Sequence, residues 1–169
     1  MLLGAHRPLY VPFPHKSNRL VGEHLRGHIE GLLSDYQVDL VVSGHVHSYS
    51  RTCNVRAGRC LRPERGGTVH LTVGCAGRKL SDVEHDQPEW LEAADVRYGY
   101  GRVTVEGGDS LLFEYVSSEG EAGAFVRMRG APPRGLGCSC CACFMMIPSM
   151  QRGFVFDAPA LPACLQTAE

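Results

Sequence analysis

Two histidines separated by a single residue, His45 and His47, are the side chains of this sequence most clearly suited to chemistry. They follow Gly44 at the start of an eight-residue string, residues 44–51. Neutral imidazole is a common ligand for zinc and iron, so a His-x-His pair could bind metal. In extended backbone the two rings would lie on one side, whereas a turn could aim them at two neighbouring ions. Most His-x-His pairs are simply exposed in loops, so the metal interpretation depends on the elements around them.

The residues just before this string favour the metal interpretation. Val38–Val42 is short, β-branched and almost wholly apolar, which predicts a strand buried on both faces. Open α/β sheets place their sites beyond the carboxyl ends of such strands. We expect Gly44 to let the backbone turn sharply there and pass close to an ion.

A helix is predicted between this strand and an apolar amino-terminal strand that ends at His6. Ser17 is its expected N-cap. Apolar residues and histidines then recur at helical spacing and predict one buried face: Leu20, Val21, His24, Leu25, His28, Ile29, Leu32 and Leu33. The order strand, helix, strand is a βαβ unit. His24 and His28 could in principle chelate a metal, but we expect them to pack on the helix surface.

The remainder of the first 130 residues is predicted to be β structure. Residues 67–74 alternate like a strand and end in a glycine loop, and we expect His70 within them to be structural. Arg102–Val105 and Leu111–Val116 form a predicted hairpin, and Ala124–Met128 a last short strand. The fold class is therefore α/β of the α+β sandwich type.

Residues 44–51 also resemble a specific motif. They match Gly-His-x-His-x-Tyr-x-Arg, the last metal-binding motif of the purple acid phosphatases, a branch of the calcineurin-like metallophosphoesterases. His6 with Pro8 and Tyr10 is similar to the preceding family motif, a histidine followed by x-Pro-x-Tyr. The resemblance covers roughly residues 1–128, and it implies the C-terminal part of a four-layer metallophosphoesterase fold.

The resemblance implies a role for four histidines. His6 and His45 would share a divalent metal and His47 would bind a ferric ion, in a dinuclear centre of iron with zinc, manganese or iron. His15 would line the substrate pocket and act in catalysis, by contacting phosphate or protonating the leaving group. An exposed loop histidine is the alternative for His15. The implied activity is that of an acid phosphatase acting on phosphate monoesters, and the family resemblance allows a homodimer.

Three ligand motifs of the family are missing from the sequence: Asp-x-Gly, Gly-Asp-x-x-Tyr and Gly-Asn-His. The only asparagines, Asn18 and Asn54, follow serine and cysteine rather than glycine. Three neutral imidazoles cannot offset the repulsion between two adjacent metal ions. We therefore expect part of a metallohydrolase that is inactive or weakly active alone, and whether the chain is an enzyme stays open. The alternative is a non-catalytic β-rich binding or interaction module that keeps the His-x-His loop.

Composition and charge limit the classes of protein to which this chain could belong. The chain has 169 residues and a formal net charge of -1, without the basic surplus typical of nucleic-acid binding. It has no 18-residue apolar stretch, so no membrane span is expected, and no secretory signal is visible. Members of the family are usually secreted or vacuolar, so the compartment stays open.

The sequence divides into a domain over residues 1–130 and a Cys-rich tail over residues 131–169. Residues 138–143 contain four cysteines, which could bind soft metal ions, but no second cysteine pair follows at zinc-ribbon spacing. We expect the tail to be disordered. Cys53 and Cys60 could form a disulfide, which the sequence alone does not establish.

Overall fold

The computed structural model describes residues 1–12, 16–81, 87–106, 110–119, 122–129, 144–145 and 154–157. It contains one α-helix, a short 3-10 helix at Pro63–Arg65 and twelve strands within these residues. The helix α1 spans Lys16–Asp35, and the strands are β1 (Leu2–Ala5), β2 (Leu40–Ser43), β3 (Tyr49–Thr52), β4 (Val55–Arg56), β5 (Arg59–Cys60), β6 (Val69–Val73), β7 (Leu91–Asp95), β8 (Gly99–Glu106), β9 (Ser110–Ser117), β10 (Ala122–Arg129), β11 (Phe144–Met145) and β12 (Phe154–Asp157).

The predicted βαβ unit is confirmed. Strands β1 and β2 lie side by side in parallel, with Leu2 opposite Leu40, and α1 connects them. They belong to a six-stranded sheet with the order β11-β1-β2-β6-β3-β7, in which β3 pairs antiparallel with both of its neighbours. This mixed sheet with one helix confirms the α+β character of the fold.

A second sheet of four strands has the order β10-β9-β8-β12. The predicted hairpin forms its centre, and both strands are longer than expected, with Gly99 opposite Ser117 at one end. The predicted last strand is also confirmed, since β10 pairs antiparallel with β9. Residues 107–109, where the sequence predicts the turn of this hairpin, lie outside the described residues.

The six-stranded sheet has a hydrophobic cluster on each face. Leu40 and Val42 of β2 pack with Phe113 of the second sheet, whereas Val41 joins the cluster that includes Leu33 of α1. Alternate residues of a strand point to opposite faces, so every residue of β2 is buried. This confirms the prediction of a strand buried on both faces.

The helix differs from the prediction in two respects. It begins at Lys16, so Ser17 lies in its first turn rather than at the N-cap. Leu25, Ile29 and Leu33 pack against the core, but Leu20 is 56% exposed. At about 100° per residue, nine residues place Leu20 on the side opposite Ile29, so the predicted buried face was too wide.

The segment expected to be a disordered tail contributes two short strands. Strand β11 pairs parallel with β1, and β12 pairs parallel with β8. The cysteines of residues 138–143 lie outside the described residues. The division of the chain at residue 130 stays a prediction.

Cys53 and Cys60 form a disulfide, with their Cα atoms 5.7 Å apart. It closes the loop that contains the β4–β5 hairpin. Among the residues that the structure describes, no helix combines the length and apolar character needed to cross a bilayer.

Candidate metal centre

The His-x-His pair lies in two successive tight turns of the backbone beyond the end of β2. The Val46 N–H donates to the Gly44 carbonyl oxygen at 2.7 Å, and the Ser48 N–H donates to the Val46 carbonyl oxygen at 2.9 Å. Each histidine is therefore the central residue of a three-residue turn. The two side chains leave the backbone at consecutive turns, not from one side of a strand.

The sharp turn was expected at Gly44, and this expectation was wrong. His45 has a φ of 59°, whereas Gly44 is not among the glycines with positive φ. A positive φ is uncommon for a residue with a side chain, although histidine tolerates it better than most. Strained backbone of this kind collects at functional sites, so the conformation of His45 itself marks the turn.

The structure brings His6 and His45 together. His6 directly follows β1, and its carbonyl oxygen accepts a hydrogen bond from the Gly44 N–H at 3.2 Å. The His45 Nδ1 atom lies 3.1 Å from the His6 Nε2 atom. With zinc–nitrogen bonds of about 2.0–2.1 Å, two nitrogen atoms at this separation subtend about 100° at a shared ion. The two imidazoles could therefore hold one ion between them.

His47 is held from a different segment, residues 79–81. Its Nδ1 atom lies 2.8 Å from the Lys79 carbonyl oxygen, which can only accept, so Nδ1 carries a proton and, in the neutral ring, Nε2 keeps its lone pair. The His47 N–H donates to the Ser81 hydroxyl, and the Ser81 N–H donates to the His47 carbonyl oxygen. Metal-binding histidines are typically oriented in this way by a second hydrogen bond.

Sequence reasoning missed Lys79 and Ser81. The available signal was the glycine loop after β6, which leads directly into these residues, but nothing in the sequence connected that loop to His47. We refer to His6, His45 and His47 together as the candidate centre.

Gly74 fixes how closely β6 approaches the His-x-His turns. A Cβ atom at Gly74 would lie 2.1 Å from the Val46 carbonyl oxygen and 2.8 Å from its carbon atom. The Gly74 N–H also donates to the Ser48 carbonyl oxygen at 3.1 Å. Only a residue without a side chain allows this contact, so Gly74 is a structural part of the site.

The motif residues that follow the histidines are structural in this molecule. Tyr49 is buried and stacks on Tyr115, with ring centroids 4.3 Å apart and planes within 2° of parallel. Burial raises the pKa of Tyr49 to about 12. Arg51 forms an ion pair with Glu92 at 2.9 Å. These two side chains anchor the site to the surrounding sheets rather than reaching into it.

The other predicted histidines fall into three groups. His15 lies outside the described residues. His24 and His28 are exposed on α1, and His70 is buried in β6, where desolvation lowers its pKa to about 3. A neutral, buried imidazole fits the structural role expected for His70.

The donor set fits metal binding in part. Three imidazoles suit zinc or iron, and two of them have the separation that a shared ion needs. Within the described part of the chain, however, no cluster of three or more histidine, cysteine, aspartate or glutamate side chains is arranged to hold a metal ion. The assignment of His6, His45 and His47 as ligands therefore stays a prediction.

Comparisons with known proteins give a consistent result. A family model described as iron/zinc purple acid phosphatase-like protein C matches residues 67–124. The chain is 36% identical over 104 residues to "Probable inactive purple acid phosphatase 27" of Arabidopsis thaliana, covering 57% of this chain and 17% of that protein. It is 26% identical over 126 residues to "Fe(3+)-Zn(2+) purple acid phosphatase 12" of the same plant, and this alignment covers 68% of this chain and 26% of that protein.

The fold gives the same answer. The solved structure of purple acid phosphatase PPD1 from yellow lupin seeds aligns with a TM-score of 0.67 and 27% sequence identity. The alignment covers 76% of this chain and 24% of the lupin chain, so this chain spans about a quarter of that structure. Family model, relatives and fold together show that this chain is similar to the C-terminal portion of the purple acid phosphatases.

Proposed function

We propose that this chain is the C-terminal part of a metallohydrolase that cleaves phosphate monoesters, and that it contributes His6, His45 and His47 to a dinuclear metal centre. The proposal rests above all on the 3.1 Å separation of the His45 Nδ1 and His6 Nε2 atoms, beside a strained turn at His45. The name of the Fe(3+)-Zn(2+) relative supports iron and zinc as the metals.

Each histidine has a separate part in the proposed centre. His6 and His45 would bind one ion together, because their nitrogen atoms already face each other. His47 would face the second ion through Nε2, with its ring orientation fixed by the Lys79 carbonyl oxygen. When bound, the metals would supply Lewis-acid stabilisation of the charge on the phosphoryl oxygens. We also propose that His15, at the substrate pocket, binds phosphate or donates a proton to the leaving group.

We further propose that these 169 residues hydrolyse phosphate esters weakly or not at all by themselves. The family's ligand motifs Asp-x-Gly, Gly-Asp-x-x-Tyr and Gly-Asn-His are not found in the sequence. Without carboxylates between them, two closely spaced cations repel each other strongly. The chain alone should therefore hold one ion at His6 and His45 in preference to a pair.

Zinc titration calorimetry tests the ligand assignment. The chain should carry serine in place of the cysteines in 138–164, and glutamine in place of His24 and His28, to remove other ligands. Zinc should bind once per chain, and His6→Ala or His45→Ala should weaken binding at least about tenfold. His47→Ala should have a smaller effect, because it faces the second ion. Unchanged affinity in both His6→Ala and His45→Ala would reject the centre.

A second candidate function is supported by the name "Probable inactive purple acid phosphatase 27" of a relative that is 36% identical over the matched residues. In this case the chain would be a non-catalytic β-rich binding module, and the His-x-His turns would serve packing. Hydrolysis of p-nitrophenyl phosphate with iron, zinc or manganese must be combined with the melting temperature to separate the two functions, because weak or absent turnover is expected of this chain alone in both cases. Metal-dependent turnover that is lost in His45→Ala and His47→Ala supports the hydrolase. No turnover, together with an unchanged melting temperature on metal addition, supports the binding module.

A further inference from the structure

The outward side of α1 carries two histidines one helical turn apart, His24 and His28. Both side chains are exposed, and their ring centroids are 4.4 Å apart. We propose that His24 and His28 form a second metal site, which binds one divalent late first-row transition ion, Cu²⁺, Ni²⁺ or Zn²⁺, through two imidazoles. This site lies on the helix and shares no residue with the candidate centre.

The tautomer of His28 is already suited to metal binding. Its Nδ1 atom lies 2.9 Å from the His24 carbonyl oxygen. A carbonyl oxygen can only accept a hydrogen bond, so Nδ1 carries a proton, and in the neutral ring Nε2 carries the lone pair. Histidines that bind metals usually make such a hydrogen bond from the other ring nitrogen to a carbonyl or carboxylate. His28 therefore presents a ligand nitrogen whose ring orientation is fixed in advance.

The backbone under the two histidines is rigid enough to keep their spacing. Residues four apart in a helix lie on neighbouring turns, close enough for their side chains to interact. The opposite side of α1 is anchored, because Leu25, Ile29 and Leu33 pack into the hydrophobic cluster beside the first sheet. Because the His28 ring is already oriented by its hydrogen bond, binding an ion then requires only rotation of the His24 ring about its terminal torsion, which has broad minima. Little conformational freedom is lost, so the two-ligand site is pre-organised.

The donor set decides which ions the site selects. Two neutral imidazoles suit the borderline ions at the end of the first transition row, and Cu²⁺ should bind most tightly of the three. Ca²⁺ and Mg²⁺ require oxygen ligands and should not compete. Water or an external ligand would complete the coordination, because two side chains fill only half of a tetrahedral site.

The site is tested in the 169-residue chain with His6, His45 and His47 replaced by alanine, and with the cysteines in 138–164 replaced by serine. Titration calorimetry with Cu²⁺ and with Zn²⁺ should show one ion per chain. His24→Gln and His28→Gln should each weaken binding at least about tenfold. Circular dichroism should show equal helix content in all variants, because both side chains are exposed.

A spacing variant provides the matched control. His28→Gln combined with Leu32→His keeps two histidines on α1 but moves them roughly 12 Å apart along the helix axis. This variant should bind as weakly as His28→Gln alone, and its Cu²⁺ complex should lose the electron paramagnetic resonance signature of two nitrogen ligands. If the spacing variant binds as tightly as the parent, or if His28→Gln has no effect, the proposal is wrong. Because the candidate centre is absent from this background, the result does not depend on the proposed function.

Discussion

At the scale of single residues, His70 is the one buried histidine among the residues that the structure describes, and no proposed site uses it. It lies in β6 with its ring centroid 4.8 Å from that of Tyr10, and neither ring nitrogen has a hydrogen-bond partner in the described structure. Desolvation, together with the charge of Arg26, lowers the pKa of His70 from 6.5 to about 3. The folded protein keeps this imidazole neutral, so the free energy of unfolding decreases at any pH at which His70 of the unfolded chain is protonated.

His70 should therefore make the fold sensitive to acid. Its contribution is complete above pH 6.5 and falls as the pH drops towards 3, because in this window only the unfolded chain is protonated at His70. The free energy of unfolding should fall on the order of 1 kcal/mol per pH unit. Urea unfolding at pH 7 and pH 5 measures the slope. His70→Leu should flatten it, whereas the exposed control His24→Gln should leave it unchanged, and equal slopes in all three proteins would contradict this account.

At the scale of elements, β6 and the His-x-His turns meet at Gly74. Gly74→Ala would place a Cβ atom 2.1 Å from the Val46 carbonyl oxygen, so the turn between His45 and His47 must move. We expect a loss of about 1–3 kcal/mol in the free energy of unfolding, as for other overpacked sites, and a weaker affinity for zinc. Denaturant unfolding and zinc calorimetry measure the two effects.

Gly44→Ala is the matched control for this prediction. Gly44 directly precedes the His-x-His turns that Gly74 contacts, but a Cβ atom at Gly44 would meet nothing within 4 Å, and its φ is not positive. Stability and zinc affinity should both stay close to those of the parent. A similar loss in the two variants would show that the segment is sensitive to any side chain, and that the contact of Gly74 with Val46 is not the cause.

Two glycines of α1 should respond in opposite directions to the same substitution. Gly27 is exposed and a Cβ atom there would meet nothing within 4 Å, so Gly27→Ala should stabilise the helix by about 0.5–1 kcal/mol. Gly22 faces the segment after β1, and its Cβ atom would lie 2.9 Å from the Leu9 carbonyl oxygen. Gly22→Ala should therefore destabilise the protein. Thermal unfolding compares the pair, and stabilisation by both would mean that α1 can shift away from Leu9.

At the scale of the whole molecule, local patterns predicted most of the elements, and contacts between distant residues account for what was missed. Strand β2 and the β8–β9 hairpin were predictable because apolar runs and alternation are visible within a few residues. The nearness of His6 to His45 was implied by the family resemblance, and parallel pairing of β1 with β2 produces it. The positive φ of His45 and the clash that Gly74 avoids depend on segments far apart in sequence, which periodicity does not record.

The two sheets are joined through the aromatic side chains beside the candidate centre. Tyr49 belongs to the first sheet and stacks on Tyr115 of the second. Phe113 lies on the same strand as Tyr115, and its ring centroid is 6.0 Å from that of Tyr49. The Tyr115 hydroxyl donates to the Arg97 carbonyl oxygen at 2.8 Å. Since Tyr49 begins the strand that follows the His-x-His turns, packing between the sheets also positions the centre.

Substitutions at Tyr115 should separate the contribution of its hydroxyl group from that of the aromatic stack. Tyr115→Phe keeps the stack but loses the hydrogen bond to the Arg97 carbonyl oxygen and the weak one from the Cys75 thiol. The free energy of unfolding should therefore fall by about 1 kcal/mol, with zinc affinity unchanged. Tyr115→Ala removes a fully buried ring and should cost about 3–5 kcal/mol, with weaker zinc binding in the protein that remains folded. Denaturant unfolding with zinc calorimetry follows both quantities. If Tyr115→Ala lowers stability without changing zinc affinity, the first sheet alone holds the centre in place, and packing against the second sheet contributes only to stability.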